Sequence, residues 1–357
     1  MKWHHETFPK FSRGSDSRIP LHRYGDKIQH YTAIDVEMPK LDTRFDSCQP
    51  LQESIKRDQG QESMTPTPPT VLTFAATDPS GGAGLQADIL ALASIGCHPL
   101  SVVTGITVQD TVGVESVMAL DADLVNEQAR AILEDVQVAA FKLGLLGSVE
   151  NIAVIAEIVA DYPDVPLLID PILTSGRGDE LANEEMQAAM CELLFPQATL
   201  ITPNSLEARR LAFYDDIDEI QHTSLDEAAI RLLEMGSEYV LITGTHERSI
   251  DVVNSLYGTS ATGASGLIKA YHWERLLGSY HGSGCTLTSA IAACLAHGLS
   301  MEEAIIEAQE YTWQTLKNAF RPGMGQFIPD RFFWAREEDD AASENSNGND
   351  KSPFIQH

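Results

Sequence analysis

Val71-Leu72-Thr73-Phe74-Ala75-Ala76, followed by Thr77-Asp78-Pro79-Ser80-Gly81-Gly82-Ala83-Gly84, decides the fold. Six apolar-leaning residues run into eight turn formers, so the stretch predicts a buried strand closed by a tight glycine turn. Directly after it, Leu85, Ile89, Leu92 and Ile95 recur near one helical face, and Gly96 is placed to end the helix. The same alternation repeats outward. Strands are predicted over Leu100–Val108, Phe141–Leu143, Val165–Asp170, Thr199–Thr202 and Tyr239–Thr243. Helices are predicted over Asp121–Asp135, Val149–Ala160, Glu184–Leu194 and Leu225–Met235. Asp251–Tyr257 and Leu267–Tyr271 pattern as an antiparallel pair, and helices over Cys285–His297 and Met301–Ala319 close the domain. Short apolar strands alternating with helices imply an α/β fold with a mainly parallel sheet covered on both faces. Ligands of such sheets bind beyond the carboxyl ends of the strands.

The 357 residues, 43% hydrophobic and 21% charged, have ordinary globular composition. A single α/β domain of roughly 250–300 residues buries most of its apolar surface. The formal charge is −28, from 24 basic and 52 acidic residues. That balance argues against nucleic acid or an anionic membrane as the main partner. The first 64 residues hold ten basic and ten acidic side chains, so the remaining 14 and 42 carry the whole imbalance. A phosphate site in this chain must therefore be built from local dipoles or a metal ion rather than from the global field.

Residues 1–64 are polar and aperiodic and read as a disordered extension. Met64, directly before the folded part, is an alternative start. The folded domain is placed at 65–336, entered through the stiff Thr65–Thr70 segment. The acidic low-complexity residues 337–357 form a solvated tail. Five cysteines, an odd number with no paired spacing, suit a reducing compartment without structural zinc. There is no apolar run of about 18 residues to span a membrane and no secretory pattern at the start, so a cytoplasmic location is expected.

Three clusters could carry chemistry. The turn Thr77–Gly84 offers glycine backbone to a ligand, or is simply a tight strand-to-helix turn. It matches neither the dinucleotide nor the P-loop spacing. His281-Gly282-Ser283-Gly284-Cys285-Thr286 opens a helix with bare N–H groups. With the helix dipole these form an anion site that needs no basic residue. Cys285 stands where a helix N-terminus stabilises a thiolate, and could accept a hydroxyl proton. Asp170 ends a strand, and Asn204 and Glu207 follow another. These oxygens suit Mg²⁺, while Asn204 and Glu207 also fit a helix capping box.

The order Thr77–Gly84, Gln86-Ala87-Asp88, Val108-Gln109-Asp110-Thr111, Lys142-Leu143-Gly144, Asp170-Pro171, Thr202-Pro203-Asn204 with Glu207, and Gly282–Thr286 resembles the hydroxymethylpyrimidine-phosphate kinases over roughly residues 70–320. The resemblance implies a ribokinase-like three-layer α/β/α sandwich, commonly dimeric, that phosphorylates a small pyrimidine with ATP and Mg²⁺. It implies Gln109, Asp88, Gly82 and Leu145 at the pyrimidine, with Leu145 standing for a more usual methionine. Cys285 is then the base and Gly282, Ser283 and Gly284 the anion hole. Asn204, Thr243 and Gly244 lie at the nucleotide, and Asp170 and Glu207 at the metal. Thr243 occupies the place of a family lysine, and Arg177, in Ser175–Asp179, is a candidate to replace its charge. Pyridoxal kinase of the same superfamily, or a non-catalytic pyrimidine-binding relative, are the alternative readings. An interaction protein using residues 1–64 is a third, unsupported by any amphipathic pattern there.

Overall fold

A computed structural model describes residues 67–214, 223–247, 249–260 and 262–336. The predicted extension at 1–64 and tail at 337–357 lie outside the described residues. Nine strands form one sheet: β1 (Thr70–Thr77), β2 (His98–Gln109), β3 (Val114–Ala119), β4 (Ala140–Leu143), β5 (Leu167–Ile169), β6 (Leu200–Ile201), β7 (Tyr239–Ile242), β8 (Asp251–Thr259) and β9 (Ser265–Glu274). Their order is β3-β2-β1-β4-β5-β6-β7-β8-β9. The six strands from β2 to β7 run parallel, and β3, β8 and β9 add antiparallel edges.

Successive strand residues point to opposite faces, and this alternation divides the core in two. Leu72, Phe74, Phe141, Leu143, Val240 and Ile242 face one layer. That layer is built by α2 (Ala122–Leu133), α3 (Val149–Ala160), α4 (Glu184–Ala189), α5 (Ser205–Ala212) and α6 (Leu225–Glu234). Val71, Ala140, Leu168 and Leu241 face the other, covered by α1 (Gly84–Ser94), α7 (Ser283–Ala296) and α8 (Met301–Lys317). Thr73 and Lys142 share the parity of Val71 and Ala140 and so enter this second, otherwise apolar layer.

Most predicted elements are present, with instructive departures. The helix expected over Glu184–Leu194 is α-helical only to Ala189. It widens into a π turn over Met190–Leu194 and ends at the 3₁₀ turn carrying Pro196, as a ring without an N–H requires. Strand β3 was not expected. It is an edge strand with Met118 63% exposed, so burial leaves little alternation to read. Helix α5 was legible only through its cap, where Asn204 accepts from Leu206 and Glu207 N–H and Glu207 accepts from Asn204 N–H.

Candidate functional site

A cavity of about 400 Å³ opens at the carboxyl ends of the parallel strands, lined by Thr77, Gln109, Leu145, Asp170, Asn204, Glu207 and Thr243 and by Gly282, Ser283, Gly284 and Cys285 of the α7 start. Sheet topology explains the convergence. Each parallel strand delivers its last residue to the same edge, whatever lies between in sequence.

The floor is the N-terminus of α7. Gly282, its N-cap, has φ +80°, and no side chain caps the helix. The Ser283, Gly284 and Cys285 N–H groups thus stand at the cavity with the positive end of the helix dipole behind them. Gly282 must be glycine twice over: its φ is left-handed, and a Cβ there would lie 1.9 Å from Gly82 O. Glycine is also required at 82, where a Cβ would lie 2.2 Å from His281 Cδ2. The Arg and His side chains on the wall are few: Arg275, His246 and His281. Arg275 spends its donors on the carbonyls of Thr245, Glu247 and Ser249. Burial pushes His246 down, against the pull of Glu247.

Cys285 is buried, and burial pushes its thiol well above the ordinary range. Lys142 and the Gly84 N–H pull the other way but do not prevail. Burial thus works against the thiolate that the helix start would favour. Beside it the Asp170 carboxyl is also raised, first by burial, with Lys142 and then the Cys285 side chain opposing. Asp170 Oδ2 is buried with no hydrogen-bond partner among the described residues. Burial, then Asp170, raises the Glu207 carboxyl to about 8. Two carboxyls that resist ionising together, one with an orphaned oxygen, fit a divalent cation completed by water and phosphate oxygens. Among the described residues no group of three His, Cys, Asp or Glu side chains converges into a self-sufficient cage. The Asn204–Glu207 cap is formed, it uses the Asn204 side-chain oxygen, and both residues line the cavity.

Four of the expected site residues lie off the cavity wall. Asp88 does not reach the cavity. It is fully buried, 2.8 and 2.9 Å from Lys142 Nζ, and accepts from Thr73 at 2.7 Å and Ser289 at 2.9 Å. It ties α1, β1, β4 and α7 together beneath the site. Gly82 lies behind His281, off the wall. Gly244 faces β8: its N–H donates to Asn254 Oδ1 at 3.1 Å, and a Cβ would meet Val253 O at 2.2 Å. Arg177 is exposed and lies over Gly113, while Ser175 and Gly176 line the cavity in its place. Gln109, Leu145 and Thr243 do line it, and Gln109 Nε2 is steadied by Thr107 Oγ1 at 2.7 Å. Arg275 and Lys142 escaped the site reading. Lys142 sits within a quoted motif, but nothing local marks Arg275 at the end of β9.

The pattern that defines the phosphomethylpyrimidine kinase family matches residues 78–330. The hydroxymethylpyrimidine/phosphomethylpyrimidine kinase of Mycobacterium leprae is 35% identical over 262 residues, covering 72% of this chain and 92% of its own. That of Streptomyces coelicolor is 36% identical over 263 residues, covering 72% and 93%. Among solved structures, Bacillus subtilis pyridoxal kinase with ADP superposes with TM-score 0.66 at 28% identity, covering 76% of this chain and all of that one. Clostridium difficile phosphomethylpyrimidine kinase superposes with TM-score 0.57 at 30% identity, covering 70% and 99%. These neighbours bear out the ribokinase-like fold, and the match in both sequence and fold shows that this chain belongs to the phosphomethylpyrimidine kinase family.

Proposed function

We propose that the protein transfers the γ-phosphoryl group of ATP to the hydroxymethyl group of 4-amino-5-hydroxymethyl-2-methylpyrimidine, and then phosphorylates the monophosphate to the diphosphate, as a step toward thiamine. The observation that carries this reading is the uncapped α7 N-terminus meeting Cys285 and Asp170 in one cavity. A transferring phosphoryl group needs little covalent help. It needs positioning and fixed donors for its equatorial oxygens, which the Ser283, Gly284 and Cys285 N–H groups supply.

Gln109 and Leu145 take the ring, one by hydrogen bond and one by apolar contact. Asn204 and Thr243 lie on the nucleotide side. Cys285 Sγ accepts the hydroxyl proton late, as the new O–P bond forms, while its own proton passes to Asp170. The thiol thus relays a proton rather than starting as thiolate. Asp170 and Glu207 would hold Mg²⁺, which when bound neutralises phosphate charge. A cytoplasmic homodimer belongs to the same reading. Its supports are four buried cysteines outside any disulfide among the described residues and the exposed Ile106, Val108 and Met118 of β2 and β3. The domain division at 65–336, with extensions on either side, is retained with it, supported by the match to 78–330.

The likeness to pyridoxal kinase keeps one rival in the assay. ADP release would be measured with hydroxymethylpyrimidine, its monophosphate and pyridoxal, with and without Mg²⁺. Turnover of both pyrimidines, reduced about 10²–10⁴-fold in Cys285→Ala, is the expected result. Turnover of pyridoxal alone would move the chain to that activity, and binding without turnover would make it a pyrimidine sensor.

A further inference from the structure

Arg331 lies one residue beyond the family match, in the segment after α8, and is only 3% exposed. Its guanidinium makes three hydrogen bonds. Nε donates to Thr286 Oγ1 at 3.0 Å, Nη1 to Gly81 O at 3.3 Å and Nη2 to Gly82 O at 2.5 Å. All three acceptors are neutral. Among the described residues no carboxylate lies within ion-pair distance of it. A guanidinium does not shed its proton in a protein, so a full positive charge is held in the interior without a direct ion pair, with Asp88 and Asp78 acting on it only at longer range. Burying such a charge opposes folding, and a hydrogen-bonded neutral side chain would hold these elements together at less cost.

The position of the charge suggests its use. Thr286 Oγ1, which receives the Nε–H, donates in turn to Gly282 O at 2.8 Å. The arginine thereby grips the carbonyls of Gly81 and Gly82 on one glycine turn and, through one hydroxyl, that of Gly282 on the other. In a planar trans peptide the N–H points away from the C=O. Holding the Gly282 carbonyl therefore aims the Ser283 N–H, and Ser283 lines the cavity. The arginine is itself anchored: its own carbonyl accepts from Ser94 Oγ at 2.5 Å and Tyr311 Oη at 2.9 Å.

We propose that Arg331 is a positioning residue for phosphoryl transfer, holding the two glycine turns in register and placing a permanent positive charge behind the α7 N-terminus that faces the phosphoryl group. This rests on the phosphotransfer reading, so the wild-type assay is the control. No turnover by wild type defeats that reading; turnover alike in wild type and variant defeats only the role of Arg331.

The test uses the full chain with Arg331→Met, Arg331→Lys, Thr286→Val and Thr286→Ser, each checked by thermal unfolding. Steady-state kcat and separate KM values for ATP and hydroxymethylpyrimidine are then measured. Folded Arg331→Met is expected to lose at least ~30-fold in kcat with the pyrimidine KM within ~3-fold. Arg331→Lys, which keeps the charge but not the fork, should fall between it and wild type. A folded Arg331→Met with kcat within ~3-fold of wild type overturns the proposal, as does a loss carried by the pyrimidine KM. If Arg331→Met does not fold, Thr286→Val decides. A loss of about 10-fold in kcat that Thr286→Ser restores supports the relay to Gly282, and wild-type kcat in Thr286→Val overturns it.

Discussion

The turn after β1 and the turn before α7 share composition and place. Both are rich in glycine, both lie at the carboxyl edge of the sheet, and both open a helix whose N-cap has no side-chain hydrogen bond. Their N–H groups meet opposite fates. In the first turn Asp78 accepts from Ser80 N–H at 2.8 Å and Ala83 N–H at 2.7 Å, and Ser80 Oγ accepts from Gly82 at 3.2 Å. His281 Nε2 closes the ring at 2.8 Å from Asp78 Oδ2. The Ser80, Gly82 and Ala83 N–H groups are thus taken by side chains of the same turn. In the second no acidic residue stands in the first helical turn, and its N–H groups remain for a ligand. Glycine content marks both turns; what separates them is whether side chains of the turn consume the N–H donors.

Substituting one glycine in each turn is the sharpest way to break this comparison. Gly282→Ala puts a Cβ 1.9 Å from Gly82 O, so the α7 entry must shift. Losing the donors it aims should lower kcat by about 10²–10³-fold or more. Gly81 has φ +73° but nothing within 4 Å of a Cβ. Gly81→Ala should therefore show only the left-handed penalty of ~1–2 kcal/mol in unfolding, with kcat kept. Equal kinetic loss in the two variants would erase the distinction.

The ion pair beneath both turns gives the next effect. Asp88→Ala strands Lys142 as an unpaired buried charge and should destabilise by about 3–5 kcal/mol in urea unfolding. Because Asp88 does not line the cavity, pyrimidine affinity measured by calorimetry on the folded protein should change little. A large affinity loss without a stability loss would return Asp88 to the ligand.

A smaller effect sharpens the account of the closed turn. Burial pushes the Asp78 carboxyl up, but the hydrogen bonds from His281, Ala83 and Ser80 outweigh it and hold the group below its ordinary 3.8. A lowered carboxyl contributes stability present above its unfolded-state value and lost as pH falls through its folded-state value. The groups facing it are His281, Ser80, the Ala83 N–H and, at longer range, Arg331. Asp78→Asn should therefore lower stability by about 1–3 kcal/mol at neutral pH, and the difference from wild type should vanish in strong acid. A constant offset in Tm across the acid range would remove the charge from the explanation. The smallest effect is expected at Arg177, whose side chain lies off the cavity wall. Arg177→Ala should leave the ATP KM within about 2-fold, and a large increase would bring this loop back to the nucleotide.

Much of the site was legible because its residues sit where strand ends must converge. Asp170, Asn204, Glu207, Gln109 and Leu145 follow strands that the apolar pattern located, and all reach the cavity. The failures share a cause. Gly244 follows the cavity-lining Thr243, and Asp88 lies four residues from the cavity-lining Gly84, yet Asp88 points to the underside of the sheet and Gly244 to β8. Neighbouring residues point apart by a rotation that motif spacing does not record.

Sequence alone determined the alternation of strands and helices, the parallel sheet and the glycine-rich opening of α7. These follow from local periodicity and turn chemistry, which act over a few residues. Tertiary structure alone decided that Asp88 is a core ion pair, that Cys285 is buried, and that Arg331 joins the two glycine turns. Asp88 meets Ser289 across 201 residues of chain, and Arg331 meets Gly82 across 249. Burial and charge partnership are properties of what the fold brings within a few ångströms, so they arise only once the sheet has closed its two layers.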